Sequence, residues 1–107
     1  MKILSRAEEL VLLSVWRLQE DAYGVSIRKL IIDITGVDWS IGAVYVPLDR
    51  LTKMGFLETI QGDPTSERGG RSKRYYKLTK EGLAALEHIN KVNEAMRADL
   101  PDMGLSG

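Results

Sequence analysis

Two short alternating segments, Phe56–Ile60 and Lys73–Leu78, are separated by an interval punctuated with Gly62, Asp63, Pro64, Gly69 and Gly70. These residue types favour turns and end helices, so the region is confined to a hairpin with a long tip. Between Arg68 and Lys80, from the tip to just beyond the returning strand, lie Arg68, Arg71, Lys73, Arg74, Lys77 and Lys80, and no Asp or Glu lies among them. The net charge of the whole chain is zero, an average that argues mildly against a polyanionic partner. A phosphate backbone responds to local potential, however, and a charge-balanced chain can present one strongly positive edge.

Three helical segments precede the hairpin. Ser5-Arg6-Ala7-Glu8 has the form of a capping box, in which serine and glutamate satisfy the free amides of a helix start. The helix that follows, to about Gln19, is apolar on more than one face. Val11, Val15 and Leu18 mark one stripe, which Leu12 with Trp16 and Leu10 with Leu13 widen. A helix so broadly apolar needs cover on two sides, and a partner subunit is expected to supply the second. Ile27, Leu30, Ile31 and Ile34 give the next helix, Gly24 to Thr35, a 3.6-residue period, with Gly36 placed for a left-handed C-cap. Val37-Asp38-Trp39 reads as an extended link with room for a single strand pair. Ser40 then caps a third helix with Ile41, Val44, Tyr45, Leu48 and Leu51 as its buried stripe, closed by Gly55. Pro47 lies inside it, where a missing N–H costs up to ~3 kcal/mol and a kink is expected. The stripe stays in phase on both sides, so the helix stands.

After the hairpin, Thr79 caps a last helix that bears Leu86, Ile89, Val92 and Met96 on one face, with Pro101 as its stop. Three helices, a two-stranded wing and a C-terminal helix make a mainly α (α+β) winged helix-turn-helix. Residues 1–79 are assigned to the winged-helix domain, 80–100 to a dimerisation helix and 101–107 to a flexible tail. The expected dimer contacts are Val11 and Val15 on the first helix and Leu86, Ile89, Val92 and Met96 on the last.

The chain offers little to an enzyme. It has no cysteine, which excludes disulfides, thiolate zinc sites and a cysteine nucleophile. No histidine–acid–nucleophile set, phosphate-binding glycine loop or metal-ligand spacing is present, and no cofactor is expected. His88 reads as an ordinary surface residue, and Glu8-Glu9 as favourable charge in a helix first turn. No apolar run approaches the ~18 residues of a membrane span, and Met1–Arg6 has no export-signal character. A cytoplasmic location is expected.

The third helix is the element sized for a major groove. Ser40, Gly42 and Ala43 form a slim first turn whose amides can meet phosphate. Val46 can touch a thymine methyl, Arg50 and Lys53 can reach phosphate or guanine, and Asp49 can pair with Lys53 or accept from cytosine. The wing adds Arg68, Gly69, Gly70, Arg71, Lys73 and Arg74, its glycines fitting the tip to a groove wall and its cations supplying phosphate or minor-groove contacts. The expected function is sequence-specific binding of duplex DNA by a homodimer; that it represses, and that it answers to a small hydrophobic effector, are expectations that rest on resemblance to a known family. The rival is a winged-helix module that binds protein instead of DNA.

Asp21-Ala22-Tyr23-Gly24, Ser40-Ile41-Gly42-Ala43-Val44-Tyr45, Leu48-Asp49-Arg50-Leu51 and Gly55-Phe56-Leu57, followed by Glu67-Arg68-Gly69-Gly70-Arg71-Ser72-Lys73-Arg74-Tyr75-Tyr76-Lys77-Leu78-Thr79 and Gly82, keep one order between Leu4 and Leu86. Together they resemble the PadR-like transcriptional regulators. The resemblance implies a winged-helix repressor, dimeric through its first and last helices and in some members released by a small molecule. It also implies DNA contacts at Tyr23, Ser40–Ala43, Tyr45 and the wing residues Arg68–Lys73. On residue type alone, Tyr23 and Tyr45 remain open to packing as well as to contact through their hydroxyls. Trp16 and Trp39 read as core or interface. The last helix has no tryptophan, so the drug-stacking mode of some members does not carry over.

Overall fold

The computed structural model describes residues 3–62 and 73–102. Along it run α1 (Arg6–Leu18), α2 (Gly24–Thr35), α3 (Ile41–Lys53), β1 (Leu57–Gln61), β2 (Arg74–Leu78) and α4 (Lys80–Arg97), with a 3₁₀ turn, Gln19–Asp21, after α1. The two strands pair antiparallel, Leu57 opposite Leu78 and Gln61 opposite Arg74. This is the expected mixed α+β winged helix-turn-helix.

Side-chain hydroxyls start α1, α3 and α4, and glycines close α2 and α3. The Glu8 N–H donates to Ser5 Oγ at 3.1 Å while the Ser5 N–H donates to Glu8 Oε1 at 2.8 Å, completing the capping box of α1. Ser40 Oγ accepts from the Ala43 N–H and Thr79 Oγ1 from the Gly82 N–H, so α3 and α4 start on capping hydroxyls. Gly36 closes α2 with φ 72°. Gly55, at φ 83°, closes α3, and the Phe56 N–H reaches back to the Leu51 carbonyl at 3.0 Å, satisfying a terminal acceptor.

The core lies where α1, α2 and α3 meet the inner face of the wing. Leu12, Ile27, Leu48 and Leu51 are fully buried in it, each contributing roughly 1.5–3 kcal/mol relative to exposure. α4 enters the same core over its first two turns through Ala85 and Leu86. At its start a Cβ on Gly82 would overlap the Phe56 carbonyl, so only glycine allows the helix this close to the end of α3.

Several expectations need correction. Ile41 and Tyr45 are exposed, and Pro47 takes a place beside Val44, Leu48 and Leu51 in the buried stripe of α3. The proline ring is core, which offsets the backbone bond it removes. Val37–Trp39 forms no strand; Arg28 clamps it instead, with Nε donating to the Trp39 carbonyl at 2.6 Å and Nη2 to Asp38 Oδ1 at 3.4 Å. α4 ends at Arg97, ahead of Pro101, because Ala98 is extended and Asp99 has φ 55°.

Candidate nucleic-acid interface

The exposed side of α3 carries Ile41, Gly42, Ala43, Val46, Asp49, Arg50 and Lys53. Gly42 meets nothing closer than Ser40 Oγ at 4.0 Å, so the first turn is as slim as expected. The Ala43 amide already bonds to Ser40, which leaves the amides of Ile41 and Gly42 as the free donors of that turn. Tyr45 projects sideways, and a Cβ on Gly24 would overlap its ring. Its packing partner is therefore the start of α2, and the residue keeps 40% of its surface exposed.

Arg50 is not a free cation on this face. Its Nη1 lies 3.4 Å from Oε2 of Glu8, a buried residue on α1. Burial pushes the Glu8 carboxyl up, but its hydrogen bonds with Ser5 and the Arg50 guanidinium outweigh that and hold it below the ordinary carboxylate value. The pair ties α3 to α1 across the fold. Asp49 and Lys53 form no ion pair among the described residues.

The wing is fastened to α2 through Tyr23. Tyr23 and Tyr75 form an isolated antiparallel bridge, and the Tyr76 N–H donates to the Ala22 carbonyl at 2.9 Å. The two rings meet edge to face at 5.5 Å, and Lys73 Nζ lies 4.1 Å from the Tyr23 ring centre, a cation–π arrangement. Tyr23 thus serves packing and the wing at once. Lys73 and Arg74 stand at the beginning of the returning strand, and no described carboxylate pairs with either. Arg68, Gly69, Gly70 and Arg71 lie outside the described residues. Beneath the wing, the buried Tyr76 hydroxyl has no hydrogen-bond partner among the described residues. Burial raises its pKa, Arg74 pulls the other way, and Asp49 and Tyr45 add to the rise.

Residues 12–88 match the model of the transcriptional regulator PadR-like family. The chain belongs to this family. As a PadR-like regulator it is a DNA-binding transcription factor and not an enzyme. It is similar in structure to a PadR family transcription regulator from Clostridium difficile R20291 (25% identity, TM-score 0.70, covering 86% of this chain and 90% of that one). A second similar structure is a PadR family transcriptional regulator from Eggerthella lenta DSM 2243 (26% identity, TM-score 0.60, 84% and 83% covered). RosR from H. salinarum has the same fold at 23% identity (TM-score 0.74, 94% and 84% covered). No curated protein matches the sequence.

The remaining site residues fall into two groups. Ile89 is half-buried against the core, and Val92 and Met96 are exposed along α4. Val11, Val15 and Leu86 sit inside the chain's own core, so the outward apolar surface of α1 is carried by Leu13 and Trp16 instead. Sequence reading missed the Glu8–Arg50 pair and the role of Tyr75. The capping box had already flagged Glu8, but nothing in the sequence indicated that its carboxylate would also meet α3. No helix of the described residues is long and apolar enough to cross a membrane.

Proposed function

We propose that this PadR-like regulator acts as a homodimeric repressor that sets α3 of each subunit into a major groove and lays the wing on the flanking backbone. The observation that carries this reading is the pairing of an exposed, slim α3 face with Lys73 and Arg74, neither matched to a described carboxylate. Phosphate contacts then supply affinity and register, while α3 supplies sequence choice. Twofold symmetry would place the two half-sites about one helical turn apart, and covering a promoter would repress it.

The dimer is supported by two unpartnered apolar surfaces. A groove of about 460 Å³ between α1 and α2 is lined by Leu10, Leu13, Trp16, Leu30 and Ile34. The far half of α4 exposes Val92 and Met96, followed by Leu100. Seating that helix in the partner's groove covers both, and a twofold axis makes the exchange reciprocal. A small apolar effector is supported by a second groove, bounded by Trp16, Ile60, Lys77, Lys80 and Leu83, where α1, the wing and α4 converge and a bound molecule would change their spacing.

Titration of duplex binding against salt tests the central reading. The log–log slope should be steep, about −0.9 for each phosphate neutralised. A flat slope, or no duplex binding at low salt, would refute it. Sedimentation as a monomer at micromolar concentration would remove the dimer.

A further inference from the structure

The reading face of α3 has an unusual chemical character for a groove-binding helix. From Ile41 to Leu48 it carries no charged side chain, and the next residue is the acid Asp49. Ile41 is 45% and Val46 56% exposed, although the core is already filled by Val44, Pro47, Leu48 and Leu51. The fold does not explain this aliphatic surface. Arg50, the cation best placed to reach a guanine edge, is drawn back to Glu8 on α1. Ala43, Val46 and Asp49 recur every three residues and so form one ridge, each step rising ~4.5 Å along the axis. That step is about a third longer than the ~3.4 Å rise of a base pair, so successive ridge residues meet neighbouring pairs only over a short run.

In the major groove the thymine C5-methyl is the apolar feature, and the cytosine N4 amine is a donor that suits a carboxylate. Guanine presents the acceptors O6 and N7, which repel a carboxylate and call for a cation. Resting on the DNA-binding reading above, we infer that Ala43 and Val46 read thymine methyl groups and that Asp49 accepts from the N4 amine of a neighbouring cytosine. Arg50 is then a positioning residue, holding the ridge at its angle through Glu8. The half-site under α3 is one in which thymine lies next to cytosine on the strand the ridge follows.

The test uses the full chain and a pool of duplexes with a randomised centre. Recovered sites should hold adjacent thymine and cytosine in each half. Remaking the best duplex with 2′-deoxyuridine in place of thymidine at those positions should weaken binding about fourfold per methyl lost, the worth of one buried methyl group. Val46→Ala, at an exposed position outside the core, should reduce the uracil penalty at the thymine that Val46 faces, leave the penalty at the thymine facing Ala43, and leave the salt slope unchanged. Asp49→Asn should relax the choice of cytosine. Equal affinity for thymine and uracil duplexes, an undiminished penalty in Val46→Ala, or recovered half-sites without a thymine–cytosine step would each overturn the inference while leaving DNA binding in place. Failure to enrich any duplex would refute the DNA-binding reading itself.

Discussion

Replacing Glu8 by glutamine removes one charge from the junction of α1 and α3 and leaves its shape. The wild-type carboxylate is 3% exposed as a residue, accepts from the Ser5 amide at 2.8 Å and faces Arg50 at 3.4 Å. Glutamine keeps an acceptor for Ser5 but turns a charge-assisted bond into a neutral one, and it ends the attraction to Arg50. That attraction is weak, because the Arg50 side chain is 53% exposed and solvent screens it. Together the losses come to about 1–2 kcal/mol at neutral pH. The effect depends on pH with a definite sign. The folded carboxyl titrates below its ordinary value of 4.5, so between the two values the unfolded chain holds more protons and stability rises with pH. The contribution of Glu8 is complete above the unfolded value and is lost as pH falls through the folded one. Urea denaturation of wild type and Glu8→Gln at neutral and acid pH reads this directly: the gap should be present at pH 7 and shrink on acidification. A gap that stays constant with pH, or a variant as stable as wild type at pH 7, would refute the assignment of a stabilising charge to Glu8.

Other substitutions probe the same structure. Gly82→Ala should destabilise the fold by about 1–3 kcal/mol despite the better helix propensity of alanine, since the new Cβ meets the Phe56 backbone; thermal melting that shows a gain would contradict that packing. Tyr76→Phe deletes a buried hydroxyl with no partner among the described residues, so stability should hold or rise by about 1 kcal/mol, and a clear loss in denaturant midpoint would mean the hydroxyl is satisfied. Lys73→Ala should weaken binding to every duplex alike and make the salt slope shallower by about one phosphate; unchanged binding would take Lys73 out of the interface.

Much of this fold could be read from local chemistry. Ser5, Ser40 and Thr79 as caps, Gly36 and Gly55 as closures, and the periods of α1, α2 and α4 are statements about neighbours in the chain, and local rules serve them well. The errors came where long-range packing chose among side chains of similar hydrophobicity. Val11 and Val15 turn inward and Trp16 outward because α2, α3 and the wing all crowd one side of α1. Pro47 is buried because it lies three residues after Val44 and four before Leu51, on the stripe that α3 turns inward, while Ile41 and Tyr45 fall towards one edge of that stripe. At the interface, the composition of the α3 face was legible, but the fate of its charges was not. Arg50 meets Glu8, forty-two positions earlier, and no periodicity links the two. Likewise, the bridge between Tyr23 and Tyr75 joins segments that looked, in sequence, like an interhelical turn and a strand.

Tyr23 caps the start of α2, bridges to β2 and seats Lys73 over its ring. A wing joined to the body only at its two strand ends would swing independently of the helices. Here the bridge to Tyr75 and the Lys73 ammonium over the ring make α2 and the wing turn together, and Tyr45 resting on Gly24 extends the linkage to α3. In the binding mode proposed above, a tug on the ribbon by the DNA backbone would be felt by the helix in the groove. Grip and sequence choice would then share one mechanical joint, and a change at position 23 should alter both together.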